Sequence, residues 1–194
     1  MIRSGLTRAM ALGFVAALVA AASCTASNAQ MGGGGDKRKQ TTIQTAKTDN
    51  VEVRYLNLPW GEKTFGYLET GGNAFYSTRT WPFAHLKLAK AASWADATLA
   101  PGDYVLYITP KSDAAPMTLS VASFKPNDSG TFLVAGNVFT ETPADAKVVA
   151  SKPISFERKD PVANELTIAV DKHGDAAMLQ VHYGNRWLVE HLTV

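Results

Sequence analysis

From Asn50 onward the chain is written in short runs rich in Val, Ile, Tyr, Phe and Thr, broken by Gly, Pro, Asn and Asp about every ten residues. That punctuation leaves no room for a long helix. It predicts an all-β domain over 50–194, an antiparallel β-sandwich or flattened barrel of about 8–10 strands with at most short helices. Val51, Val53 and Tyr55 alternate with Glu52 and Arg54, as a strand with one buried face requires. Further strands are predicted over 84–89, 104–109, 118–124, 154–158, 165–170, 177–183 and 186–193. Pro101-Gly102 and Lys172-His173-Gly174-Asp175 read as turns. The last two strands are expected to form a hairpin around Tyr183-Gly184-Asn185-Arg186, with Gly and Asn at the centre of a primed turn. Only 94–99 and 143–150 hint at short helix, and neither has a full apolar stripe.

Nothing covalent staples this domain. Cys24 is the single cysteine, which rules out an internal disulfide and zinc sites of the Cys-x-x-Cys type. It lies in a leader with the three parts of an export signal: basic Arg3 and Arg8, an apolar run over 9–22, and a small, polar tail over 23–29. The apolar run falls short of the roughly 20 residues that cross a bilayer as a helix, and no later stretch is apolar for long enough, so no transmembrane span is expected. Two processing sites compete. Ser27-Asn28-Ala29 suits release ahead of Gln30, giving a periplasmic or secreted protein, and the length of the polar tail favours it. The alternative is lipidation of Cys24 after Ala21-Ala22-Ser23, giving a lipid-anchored one. Removing the first 29 of 194 residues leaves 165, enough for one domain with its own core.

The leader holds two of the 19 basic residues and no acid, so 17 basic remain against 17 acidic. A balanced surface lacks the cationic footprint that neutralises phosphates, which argues against a nucleic-acid partner. Residues 30–49 read as a flexible tether and lead-in, opening with Gly32 to Gly35 and the basic trio Lys37 to Lys39.

The Tyr-containing first strand, the Phe65-Gly66 step, the run Leu99-Ala100-Pro101-Gly102-Asp103-Tyr104-Val105-Leu106 before Pro110, and the closing strands together resemble the DUF2911 family of exported bacterial proteins of unknown function. The resemblance covers most of 50–194. It implies an exported β-domain. The family's central Trp-Arg-Thr-Gly-Ala-Asn-Glu segment is not matched, because this chain reads Phe75-Tyr76-Ser77-Thr78-Arg79-Thr80-Trp81 there, and no catalytic residue carries over.

The densest chemistry sits in Tyr76-x-x-Arg79-x-Trp81-Pro82-Phe83-x-His85. In an unbroken strand Arg79, Trp81, Phe83 and His85 share one face at intervals of about 6–7 Å, where a guanidinium and an indole can grip an anionic or sugar ligand. The same residues also suit a core edge, with Arg79 lying over Trp81. In the closing hairpin a two-residue turn pairs His182 with Trp187, on a face shared with Met178, Gln180, Val189 and His191. Leu179, Val181, Tyr183, Leu188 and Leu192 take the core face, and Glu190 points inward and requires a cation. His182 and His191, roughly 13 Å apart at this spacing, cannot share a metal. No cofactor-binding or nucleophile motif is present.

The expectation is a non-catalytic envelope β-sandwich that binds a small molecule, a glycan or another envelope component through Arg79, Trp81, His85, His182 and Trp187. A carbohydrate or peptidoglycan-fragment binder using Arg79, Trp81 and Trp187 is the first alternative. The second is a hydrolase built on dispersed carboxylates or a histidine, with His85 or Glu190 as its working group.

Overall fold

The computed structural model describes residues 40–71 and 79–194. The leader, Cys24, tether residues 30–39 and Tyr76 lie outside the described residues. Among the described residues ten strands follow in order: β1 (Ile43–Lys47), β2 (Val51–Leu56), β3 (Trp81–Leu88), β4 (Ala92–Trp94), β5 (Ala97–Leu99), β6 (Gly102–Thr109), β7 (Thr118–Ser123), β8 (Lys147–Pro153), β9 (Glu157–His173) and β10 (Ala176–Thr193). Two single-turn helices, α1 (Glu62–Phe65) and α2 (Tyr67–Thr70), sit between β2 and β3. The strands form two antiparallel sheets, one ordered β1-β2-β3-β6-β7-β8 and the other β5-β4-β10-β9. Neither closes, so the fold is a sandwich and not a barrel.

Val51, Val53 and Tyr55 of β2 face inward as their alternation requires. They meet Leu86 and Leu88 of β3, Leu106 and Ile108 of β6, and Leu119 and Val121 of β7 on one side of the core. Leu166, Ile168, Val170, Leu179, Val181, Leu188 and Leu192 of β9 and β10 close it from the other. Each such side chain contributes about 1.5–3 kcal/mol by leaving water, and with no disulfide this burial holds the sheets together. Among the described residues no helix is long and apolar enough to cross a membrane.

Besides the strand expected over 154–158, whose first three residues instead connect β8 to β9, the fold departs from the sequence reading at three points. Sheet structure begins inside the lead-in, where β1 pairs with β2 from Ile43↔Leu56 to Lys47↔Glu52. As an edge strand with one solvated face it buries little, and its Gln- and Thr-rich sequence shows no apolar period. The helix hint over 94–99 is instead the tight β4–β5 hairpin, turning through Ala95 and Asp96 at positive φ. The hint over 143–150 is a turn running into edge strand β8.

The third departure concerns the closing strands. The expected turn at Tyr183-Gly184-Asn185-Arg186 does not reverse the chain, because β10 runs straight through it. Gly184 alone has positive φ there, at 63°, which excludes a type I′ turn, and β10 stays paired with β9 on both sides of it, from His182↔Thr167 to Arg186↔Arg158. The reversal lies at Gly174-Asp175, between His173 and its partner Ala176. Gly184 instead shifts the alternation of β10 by one residue: Leu179, Val181 and Tyr183 are buried before it, and Arg186, Leu188, Glu190 and Leu192 after it. Opposite this step β9 carries extra residues, with Ala163 facing Gly184 and Arg158 facing Arg186. The slack lets Asn164 and Leu166 bond Trp60 and Leu58 across the end of the sandwich.

Candidate functional site

At that end the rings of six aromatic residues converge. Phe65 of α1 lies 5.5 Å from Trp60, 5.1 Å from Trp81, 5.3 Å from Phe156 and 5.2 Å from Tyr183, measured between ring centroids. Trp81 stacks on Tyr183 at 5.6 Å and tilts against Phe83 at 5.2 Å. Such offset and edge-on contacts add about 0.5–1.5 kcal/mol per pair to the burial itself. Phe65, at the hub, is held by a clamp beneath. The Arg186 guanidinium donates to both Glu69 carboxylate oxygens, at 3.2 and 2.8 Å, and to Glu62 at 3.4 Å, while lying 5.2 Å from the Trp60 ring. The bond from Arg186 holds Glu69 below the usual carboxylate range. This clamp ties α1 and α2 to β10, and Gly184 makes room for it: a Cβ there would lie 2.2 Å from the Trp60 indole.

Above these rings opens a cleft of about 530 Å³, within the usual size for a small-molecule site. Leu58, Phe65, Trp81 and Tyr183 form its apolar floor, and Arg79, Thr80 and Tyr67 line one side. Residues 138–142 of the long β7–β8 connection form the other. Three of the lining hydroxyls, those of Tyr183, Thr80 and Thr142, already bond within the protein. Tyr183 donates to the Pro59 carbonyl at 2.7 Å, and Thr80 bonds Thr142 at 3.0 Å. Burial pushes the Tyr183 phenol up to about 12, so it stays neutral at any physiological pH. At the lip, Val138 and Phe139 face solvent, with Phe139 67% exposed.

The residues named from sequence fall in three places. Arg79 and Trp81 meet at the cleft. His85 does not join them. Phe83 is an extra residue opposite β6, between the pairs Pro82↔Tyr107 and Ala84↔Leu106, and a bulge reverses which side chains share a face. Trp81 and Phe83 therefore face the core while His85 points out of the other side of the sheet. There it is 2% exposed, beneath Phe124 and Phe132. Nε2 contacts Asp103 Oδ1 at 2.8 Å and Nδ1 contacts the Thr131 hydroxyl at 3.1 Å. Burial lowers the His85 pKa, and the Asp103 carboxylate opposes that shift without cancelling it. The hydroxyl, imidazole and carboxylate are ordered as in a nucleophilic relay, yet Thr131 is itself only 4% exposed. No substrate reaches it in this conformation.

His182 and Trp187 occupy the outer face of β10, stacked at 3.9 Å and away from the cleft. Their contact was expected across a turn and is made along one strand. Trp187 Nε1 is buried without a hydrogen-bond partner. Glu190 points inward as expected, and its carboxylate is matched by Lys152 at 2.5 Å, from the facing sheet, and by the Trp94 indole N–H at 2.8 Å. That is a structural ion pair. Among the described residues no three His, Cys, Asp or Glu side chains converge on a point where a metal could bind.

Sequence reasoning missed Phe65, Tyr67, Val138 and Phe139 as lining residues, and Tyr183 had been assigned to the core alone. It also missed Asp103 and Thr131 beside His85. Asp103 had a local signal, in the turn Pro101-Gly102-Asp103 next to a strand that pairs with β3, whereas Thr131 arrives from a connection with no pattern of its own. Comparison with known protein families, with characterised proteins and with solved structures finds no match to this chain.

Proposed function

We propose that this chain is an exported, non-catalytic binding protein whose ligand, a small molecule with a largely apolar body, enters the cleft above Phe65, Trp81 and Tyr183. One observation carries the reading: an open cleft with a floor of aromatic rings, beside which the Tyr183, Thr80 and Thr142 hydroxyls already bond within the protein. A site of that kind rewards apolar surface over hydroxyl recognition, which favours it over the glycan reading. The burial of His85 and Thr131, the imidazole and hydroxyl of the relay, supports binding without turnover. Export through the leader and kinship with the DUF2911 family belong to the same proposal, resting on residues 1–29 and on the run from Leu99 to Pro110.

Titration with the neutral apolar fluorophore N-phenyl-1-naphthylamine tests the site, with maltose and N-acetylglucosamine as competitors. The expected result is saturable probe enhancement, weakened by Phe139→Ser and unaffected by either sugar. Sugar-induced change in tryptophan emission that disappears in Trp81→Phe would replace the apolar ligand with a glycan. Mass spectrometry of the protein recovered from its own cell tests export: a chain starting at Gln30 supports release, an acylated Cys24 supports anchoring, and an intact leader removes the export reading.

A further inference from the structure

The connection between β7 and β8 runs over 124–146, well beyond the roughly 12–15 residues after which a loop without regular structure is uncommon and usually functional. It does two things. Its first half covers the outer face of the six-stranded sheet, where Phe124, Thr131, Phe132 and Leu133 bury His85, Val105 and Ala122 in a small second core. Its second half supplies residues 138–142 to the cleft. Polar contacts tie it to the rest of the protein along its length: the Phe124 N–H to the Asp103 carbonyl at 3.2 Å, Arg54 Nη1 to the Gly130 carbonyl at 3.3 Å, the His85 contact with Thr131, the Gly136 N–H to the Thr41 carbonyl at 2.8 Å, the Thr41 hydroxyl to the Asn137 carbonyl at 3.5 Å, and Thr80 with Thr142 at 3.0 Å.

The chemistry of the His85 contact depends on its charge. An ionised Asp103 only accepts, so Nε2 carries the hydrogen and Nδ1 is left to accept the Thr131 hydroxyl. The Thr131 oxygen accepts in turn from the Leu133 N–H, at 3.3 Å. A proton added at Nδ1 turns that acceptor into a donor. The Thr131 hydrogen then loses its partner, and a positive charge is placed under two phenylalanines. The groups facing His85 are Arg54 and Glu52 of β2, Lys87 of its own strand and Asp103 of β6. The Arg54 cation disfavours the proton; Asp103 and Glu52 favour it, and burial outweighs them.

We propose that His85 is an acid-sensitive latch: protonation of its imidazole loosens the seating of the β7–β8 connection, and so weakens binding in the cleft that the same connection walls. The inference rests on the cleft being the binding site, and it assigns that site a release condition. Linkage makes the effect reciprocal, since an occupied cleft holds the connection down and makes His85 harder to protonate.

The test is the affinity for N-phenyl-1-naphthylamine, whose charge does not change over the range, measured between about pH 8 and about pH 5. The native chain should lose about fivefold or more in affinity toward the acid end. His85→Gln, which keeps an amide donor and acceptor but cannot titrate, should flatten the profile. Asp103→Asn should move its midpoint to lower pH, an outcome that a merely structural role does not produce. A flat native profile, or an undiminished slope in His85→Gln, overturns the latch. Amide hydrogen exchange over 124–142, corrected for the intrinsic effect of pH, gives an independent reading: faster exchange in acid supports the latch, and unchanged protection defeats it even if His85→Gln fails to fold. The cleft reading fails separately, if probe affinity at about pH 8 is the same in Phe139→Ser as in the native chain.

Discussion

The two ends of the β7–β8 connection cover two different kinds of place. Around His85 a hydroxyl, an imidazole and a carboxylate are aligned within hydrogen-bond distance, the hydroxyl and imidazole buried and the Asp103 carboxylate 24% exposed. In the cleft the floor is hydrocarbon and aromatic ring, and the mouth is open. One region holds a buried imidazole and hydroxyl, the other an open, mostly apolar cleft with Arg79 and Glu141 in its lining. The contrast teaches that a constellation of titratable side chains is not by itself a site, and that exposure of apolar surface is the more informative departure from an ordinary monomer surface.

Four substitutions or conditions press on this contrast, from the largest effect downward. Phe65→Ala removes the hub of the ring cluster and should cost about 3–5 kcal/mol in denaturant unfolding, abolishing probe binding while the His85 pocket keeps its contacts. A loss under about 1 kcal/mol would show that the rings are not a shared support. Gly184→Ala forces a Cβ onto Trp60 at a residue with φ of 63° and should cost about 1–3 kcal/mol. It tests whether the cleft floor depends on the shift in β10.

Acid should act next, and on the sealed region first. His85 titrates below its ordinary value of 6.5 in the folded protein, so its neutral form is the one the fold favours. Stability is full above 6.5 and is lost as the pH falls through the depressed folded value. Glu69, held below 4.5 by Arg186, adds a second loss below 4.5. Chemical unfolding at a series of pH values should show the first step in the native chain and not in His85→Gln. The smallest effect belongs to the lip: Phe139→Ser should leave stability within about 0.5 kcal/mol while lowering probe affinity, a separation that Phe65→Ala cannot give.

The sandwich was legible because alternation is a local property: Val51, Val53 and Tyr55 announce their face within one strand. The cleft was half legible. Arg79 and Trp81 are near neighbours in sequence, but Phe65, Phe139 and Tyr183 come from separate elements that only the tertiary fold brings together. His85 was placed on the wrong side because one extra residue, Phe83, inverts every side chain after it, and an aromatic in an apolar run does not advertise a bulge. His182 and Trp187 illustrate the converse. A two-residue turn and a one-residue shift in alternation both bring them to one face, so their neighbourhood was foreseen from a topology the chain does not adopt.

The position of β10 carries a consequence for how the molecule comes into being. It is the tenth strand in chain order yet sits inside its sheet, between β4 and β9, and its Leu179, Val181, Leu188 and Leu192 cap a core that β2, β3, β6 and β7 have already half lined. A chain delivered from its N-terminal end therefore presents a greasy six-stranded surface, or an unformed one, until these final side chains arrive. The core contacts made by β10 can form only once these last residues are available, and they are long-range in sequence. Under the export proposed above, such lateness would keep the chain slack enough to thread a translocon.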